Sequence, residues 1–426
     1  MTTQQDCIAL DAQDPLRELR HQFTLPDGLI YLDGNSLGVL PKTAAARVAQ
    51  AVTEEWGQGL IRSWNSAGWF DMPQRLGNKI AQLIGAGPGE VVATDSTSIN
   101  LYKVLSTALS IAAIDTPQRT TLISERSNFP TDLYIAEALC KERSLKLLLI
   151  EADEIEAALT PDVAVVMLTQ VNYRTGAMHD MNDVTAAAHS NGSLCVWDLA
   201  HSAGAVPVDL TRAKADFAVG CGYKYLNGGP GAPAFVWANP QHAARDVWQP
   251  LAGWFGHAAP FAFTPDYHPA PGINRYLCGT PPVLSMTALE CGLDSVLAAQ
   301  AVGGMPALRK KSLALTELFI TLVEERCAGH GLGLATPREH ARRGSQVCLT
   351  RHDGAYAIMQ ALIARGVIGD FRAGSGDGTY LDILRFGFTP LYTSFLDVWN
   401  AVEQLRQVLV SGQWQQPEFN QKNAVT

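Results

Sequence analysis

Ala215-Asp216-Phe217-Ala218-Val219-Gly220-Cys221-Gly222-Tyr223-Lys224-Tyr225-Leu226-Asn227-Gly228-Gly229-Pro230-Gly231 is an apolar run that ends on a lysine set between two tyrosines and then breaks into glycines. The run Asp216–Cys221 reads as a buried strand. Glycines admit positive φ and let the backbone approach a ligand closely. An amine sheltered from water has its charged form disfavoured and is the better nucleophile. Taken alone, Lys224 is either such a nucleophile or a lysine snorkelling out of a strand end.

The strand belongs to a rhythm that begins near residue 90. Apolar segments at Glu90–Thr94, Thr121–Ser124, Val163–Thr169, Leu194–Asp198 and Asp216–Cys221 alternate with helical spacing at Ile99–Ala112, Asp132–Glu142 and Met181–Ser190, with a single turn at 202–204. Continuous apolar strands separated by helices predict an α/β fold with a mostly parallel sheet covered on both faces. Pro233–Trp237 follows Cys221 too closely for a parallel crossover and is expected to run antiparallel.

Before this region lie an arm with one short helix at Pro15–Phe23, a strand at Leu29–Leu32, a tight loop Asp33–Gly38, a helix Thr43–Trp56 and a loop Ile61–Trp69 with two tryptophans. Those rings are either a packing plug or a wall for a flat substrate. After residue 250 the pattern loosens. Helices are expected at Val283–Ala299, Ala307–Cys327, Tyr356–Ala364 and Ser394–Leu409, with strands at Gln346–Thr350, Gly366–Asp370 and Ile383–Phe388. This reads as a smaller α+β domain, with a flexible insertion around 374–381 and a loose tail from Gln413. The expected division is 1–60 for the arm and part of the small domain, 61–290 for the large domain and 291–426 for the rest of the small one.

Composition narrows the function. The 426 residues carry a net charge of −9, which disfavours a nucleic-acid partner. No uninterrupted apolar run approaches the ~20 residues of a membrane span, and the first ten residues lack the pattern of a secretory signal. The eight cysteines form no C-x-x-C pair, which suits reduced thiols in a cytoplasmic protein. The ten histidines show no metal spacing.

Ligands of open parallel sheets bind beyond the carboxyl ends of the strands. Those ends carry Asp95-Ser96-Thr97-Ser98, Asn128-Phe129-Pro130-Thr131-Asp132, Thr169, Asp198 with His201, and Tyr223-Lys224. Ser96-Thr97-Ser98 opens a helix, so it is either a plain N-cap or a phosphate cradle. Asp198 closes a very apolar run and needs a cationic or N–H partner. Pyridoxal phosphate requires a lysine to hold it, an acid opposite its ring nitrogen and a phosphate cradle; Lys224, Asp198 and Thr97/Ser98 supply all three.

Leu32–Gly38, Asn128–Asp132, Asp198–His201, Tyr223–Asn227, Gly253-Trp254-Phe255-Gly256-His257 and Arg385-Phe386-Gly387-Phe388-Thr389-Pro390 closely resemble the kynureninase family, in order from about residue 28 to 410. The resemblance implies a fold-type I pyridoxal-phosphate enzyme with a large domain of seven-stranded type, acting on L-kynurenine as a homodimer with its active site at the interface. It further implies that Lys224 holds the cofactor and moves protons, Asp198 pairs with the ring nitrogen helped by His201, Phe129 stacks on the ring and Asp132 lies nearby. Thr97, Ser98, Thr169, Tyr223, Trp254 and Thr280 would serve the phosphate and its surroundings, the last two from the neighbouring subunit. Arg385 would clamp the substrate carboxylate, Ser36 and Trp64 would border the aryl ring, and Tyr223 would also give a proton to Cβ. The insertion at 374–381 departs from the shorter link of the family. The alternatives are a class V aminotransferase, a cysteine desulfurase, which needs an exposed nucleophilic cysteine, or a protein that binds the cofactor without catalysis.

Overall fold

The computed structural model describes residues 2–375 and 378–421; Gly376 and Asp377 of the expected insertion, and residues 422–426 of the expected tail, lie outside the described residues. The chain divides into two compact units. The larger comprises Thr43–Asn172 and His179–Leu293; the smaller takes the segment ending at Lys42, Tyr173–Met178 and the chain from Asp294.

The larger unit is built on a seven-stranded sheet. Its strands are β1 (Val91–Thr94), β2 (Thr121–Glu125), β3 (Lys146–Ile150), β4 (Val163–Thr169), β5 (Leu194–Asp198), β6 (Phe217–Gly220) and β7 (Ala234–Ala238). Their order is β1-β7-β6-β5-β4-β2-β3. Only β7 is reversed; it pairs antiparallel with both β1 and β6, as its short connection requires. Every residue of β4 is buried, the signature of a central strand covered on both faces. Edge strand β3 was not expected. It follows the helix Pro130–Arg143 with no glycine or proline between, because Ser144 makes the turn in the left-handed region at φ 57°. A strand so joined leaves no punctuation for a sequence reading.

The helix Thr97–Asp115 is long and apolar enough by composition to cross a membrane, though Lys103, Ser106, Thr107 and Ser110 interrupt it, so it is not the uninterrupted apolar run expected to be absent. Leu101, Val104, Leu105, Ala108 and Leu109 are instead buried in the core it forms with the sheet. The expected helix from Thr43 begins at Lys42, is α-helical to Gln50 and continues as a π-helix over Ala51–Gly59. The two-tryptophan loop is short helices at Leu60–Arg62 and Ser63–Ser66. The single turn expected at 202–204 is present, with Ala203 N–H donating to the Leu199 carbonyl and Val206 N–H to that of Ser202, and a short helix follows at Leu210–Ala213.

The smaller unit holds a four-stranded antiparallel sheet in the order Asp370–Arg372, Asp382–Gly387, Gln346–Arg351, Gly333–Leu334. The helices Gly304–Arg326, Ala355–Ala364 and Phe395–Ser411 share its apolar core, which contains Phe319, Val347, Ile358, Phe386 and Val402. Ile30–Tyr31 pairs in parallel with Val367–Ile368, and Asp33 bridges Gly387 in parallel just beyond. The arm has an unexpected α-helix, Gln4–Gln13, started by a Thr3/Asp6 capping box, and the short helix expected at Pro15–Phe23 is a six-residue 3-10 helix, Arg17–Gln22. Asp11, near the end of that first helix, accepts the backbone N–H groups of Phe395 and Leu396 at 2.7 and 3.0 Å. A carboxylate from one chain end thus caps the N-terminus of the last helix, satisfying free donors and complementing its dipole.

Candidate active site

The carboxyl edge of the large sheet gathers the predicted polar groups. Thr169, last residue of β4, stands beside Asp198, last residue of β5, in the parallel register. Both are buried, as are Asn128 and Asp132. Asn128 Oδ1 accepts the Phe129 N–H at 2.7 Å and the Thr169 hydroxyl. Thr169 Oγ1 also lies 3.5 Å from Asp132 Oδ2 and 3.4 Å from Asp198 Oδ2. Asp198 Oδ1 accepts the Ala200 N–H at 2.8 Å.

Burial raises the Asp132 carboxyl well above the usual carboxylate range, reinforced by the charge of Asp198. Burial raises Asp198 as well, against the opposing pull of Lys224 and the Ala200 N–H. Two such acids share a proton rather than both ionising. The Asp132 hydrogen bond favours the charged form of Asp198. His201 is buried just beyond the β5 end.

Lys224 leaves β6 through Cys221-Gly222-Tyr223. Its Nζ lies 5.7 Å from the centroid of the Tyr223 ring and 6.0 Å from that of Phe129. A cation over aromatic faces is held by their quadrupoles. The chain then turns away through Asn227, Gly229 and Gly231, all at positive φ. Side-chain bulk is also excluded: a Cβ on Gly228 would lie 2.7 Å from the Gly222 carbonyl oxygen. Burial raises the Tyr223 hydroxyl far above its ordinary value, so it stays protonated across the neutral range.

Thr97 and Ser98 open the helix that follows β1, with Ser96 as N-cap. The Thr97 hydroxyl is buried and, among the described residues, has no hydrogen-bond partner. Asp95, just before them, takes φ 44°. Its carboxylate is ion-paired to the fully buried Lys103, whose Nζ also donates to the Tyr276 carbonyl at 2.7 Å. Lys103 had no role in the sequence reading, because a lysine at a helical position looks solvent-exposed.

Trp64 and Trp254 meet edge to face with centroids 6.0 Å apart. With Ile61, Phe70, Phe261 and Phe263 they line an open cavity of about 660 Å³. Thr280 is exposed.

In the smaller unit, Arg385 is 2 % exposed. It ion-pairs with Asp370, donates to Ser36 Oγ at 2.8 Å and to the Tyr173 carbonyl at 3.0 Å, and keeps a buried Nε–H without a partner among the described residues. Ser36 Oγ donates to Asp370 Oδ2 at 3.0 Å, and Arg372 pairs with the same oxygen at 2.8 Å. Sequence reasoning named Arg385 and Ser36 but missed Asp370 and Arg372. A signal was available: Asp370-Phe371-Arg372 is an alternation that puts both charges on one face of a strand. Burial and the Asp370 charge push the nearby Asp33 carboxyl up to about 7, despite Arg385.

Residues 308–405 match the family model described as "Kynureninase C-terminal domain". The chain is 58% identical over 429 residues to a kynureninase of Pseudomonas fluorescens and 57% identical over 429 residues to one of Burkholderia pseudomallei (strain 1106a). Each alignment spans 100% of both sequences. Among solved structures it is similar to a cysteine desulfurase from Thermococcus onnurineus NA1, with TM-score 0.78 and 19% identity over 92% of this chain and 98% of that one. At that identity the likeness speaks for the fold.

Proposed function

The chain belongs to the kynureninase family, and on that premise we propose that it hydrolyses the Cβ–Cγ bond of L-kynurenine to give anthranilate and L-alanine. By the same reading 3-hydroxy-L-kynurenine is a second substrate, giving 3-hydroxyanthranilate. These reactions belong to tryptophan catabolism and, through the hydroxylated product, to NAD biosynthesis. The observation that carries the reading is the placement of Lys224 Nζ near the rings of Phe129 and Tyr223, with the Asp132–Asp198 acid pair at the same sheet edge.

The cofactor is pyridoxal 5'-phosphate, and the residues of the larger unit suit it. The unpartnered Thr97 hydroxyl and the free N–H groups of its helix turn are donors for a phosphate. Asp198, kept ionised by its neighbours, matches a protonated ring nitrogen. When bound, the cofactor stores the electrons released at the substrate's α-carbon.

The chain's own residues do the rest. Lys224 would hold the cofactor, and its amine is the base that would take the substrate's α-proton. Asp198 would keep the cofactor's ring nitrogen protonated, with His201 in support, and Phe129 would cover the ring. Thr97, Ser98, Thr169 and Tyr223 serve the phosphate and its surroundings. Water adds to the γ-carbonyl, and the Cβ–Cγ bond breaks to release the aryl carboxylate. The Tyr223 hydroxyl, held protonated by burial, gives its proton to Cβ. Arg385 binds the substrate carboxylate, and Ser36 and Trp64 border the aryl ring.

A cytoplasmic homodimer fits this reading. Its interface would include Trp254 and Thr280, each serving the partner's phosphate. The open aromatic cavity beside Trp254, with Phe261 59% and Phe263 76% exposed, supports an apolar partner there. All eight thiols are free, as suits a reducing compartment. Those thiols also speak against a desulfurase: every one except Cys278 is buried, and burial pushes Cys327 and Cys348 up to about 11. Adding L-kynurenine to the holoenzyme and following anthranilate fluorescence, with 3-hydroxy-L-kynurenine alongside, tests the proposal; no release from either overturns it.

A further inference from the structure

We propose that Asp33 takes up a proton when a carboxylate binds Arg385, which makes Asp33 a positioning residue for the substrate. The inference rests on Arg385 being the carboxylate clamp. In the smaller unit two guanidinium groups, Arg385 and Arg372, meet two acids, Asp370 and Asp33. With both acids ionised the cluster is balanced before any ligand arrives. A substrate carboxylate makes three negative charges against two positive ones, and an uncompensated charge away from water is costly.

The geometry selects which acid yields. Asp370 is pinned by Arg385, by Arg372 and by the Ser36 hydroxyl. Asp33 has a hydrogen bond with Ser36 but is otherwise less well held. Its Oδ1 is shut off from solvent and has no hydrogen-bond partner among the described residues. The unpartnered Nε–H of Arg385 is a donor that an incoming carboxylate can take up. Asp33 sits opposite Gly387, two residues from Arg385 on the same strand face.

The titratable groups facing Asp33 are Asp370 and Arg372 from one strand, Arg385 from the next, Tyr392 beyond it and Tyr31 from its own segment. Burial and Asp370 already bring the Asp33 carboxyl to about 7. A further negative charge raises it again. The sign follows: Asp33 gains a proton on binding, so affinity is greatest where it is already protonated and falls as pH rises.

The test uses 3-(2-aminobenzoyl)propanoate, the substrate skeleton without its α-amine, titrated calorimetrically into holoenzyme in buffers of different ionisation enthalpy. We expect uptake of a fraction of a proton per site above neutrality, and affinity that weakens by up to about tenfold per pH unit there. Uptake should vanish in Asp33→Asn. It should also vanish in Asp370→Asn, where one acid fewer leaves the cluster able to accept the ligand charge. Binding by the wild type without proton uptake overturns the inference, as does uptake unchanged in Asp33→Asn; the wild-type buffer series decides even if a variant does not fold. A probe that fails to bind, or binds equally well to Arg385→Lys, overturns the clamp assignment and the inference with it.

Discussion

Thr169 gives its only hydroxyl proton to Asn128 Oδ1, which already accepts the N–H of Phe129 at 2.7 Å. The hydroxyl therefore has no proton left for the carboxyls 3.5 and 3.4 Å away, and Asp132 and Asp198 must supply their own. Replacing Thr169 with valine keeps the shape and removes the link between Asn128 and the acids. Thr169→Val should cost about 1–3 kcal/mol, read as a lower urea midpoint with unchanged slope. An unchanged midpoint would show that the hydroxyl does not hold this edge together.

Asp198→Asn keeps the side-chain volume and deletes the negative charge. The expected outcome is a fall in kcat of about 10²-fold or more, while pyridoxal phosphate is still retained on gel filtration. Activity within threefold of the parent would move the ring-nitrogen role elsewhere.

Lys224→Ala should abolish turnover and the holoenzyme's visible absorbance together, since both depend on one amine. Retention of full activity by this variant would sink the assignment of Lys224.

Tyr223→Phe separates two roles for one hydroxyl. If it mainly donates a proton to Cβ, kcat falls by about 10²- to 10³-fold while the dissociation constant of the cofactor changes little. If it serves chiefly the phosphate, the cofactor constant rises and kcat at saturation is kept. Stopped-flow turnover and fluorescence titration of the cofactor decide between them.

Stability should depend on pH through Asp216, which ties β6 to a neighbouring helix. His189 and His242 contact its two oxygens at 2.8 and 2.6 Å. Burial pushes Asp216 up, but the hydrogen bonds of the two histidines outweigh it and hold it below the carboxylate range. The Asp216 hydrogen bond raises His189. A depressed acid stabilises above its unfolded value and loses that stability as pH falls; a raised histidine stabilises below about 6.5 and loses it as pH rises. The cluster is therefore strongest between about pH 4 and 6.5. His189 is partly exposed, so its share is about 0.5–1 kcal/mol. His189→Gln should flatten the fall in Tm between about pH 6 and 8; an identical slope would assign that fall to another group.

Much of this was legible because two kinds of signal are local. A central strand buried on both faces must be apolar throughout, so β4 and β5 were found at their observed bounds. Residues that follow such strands share one edge by topology alone, which brought Thr169, Asp198 and Lys224 together. What escaped depends on distant partners. Lys103 is buried because Asp95 and the Tyr276 carbonyl receive its charge, and Asp370 matters because Arg385 crosses to it from the next strand. The sequence shows each charge without its partner. Strand β3 was hidden for a different reason: a serine took the left-handed turn that glycine usually advertises.

The capping of the last helix by Asp11 sets an order of assembly. A ribosome can release everything needed for the larger unit once Leu293 has emerged, and domains fold as units during synthesis. The helix Gln4–Gln13 is made first, yet the N–H groups that its Asp11 accepts lie at Phe395 and Leu396. It waits through nearly the whole of translation with Cys7 uncovered. The first segment made is thus among the last to be secured, and a stalled or truncated chain would carry a finished larger unit and an arm with nothing to cap.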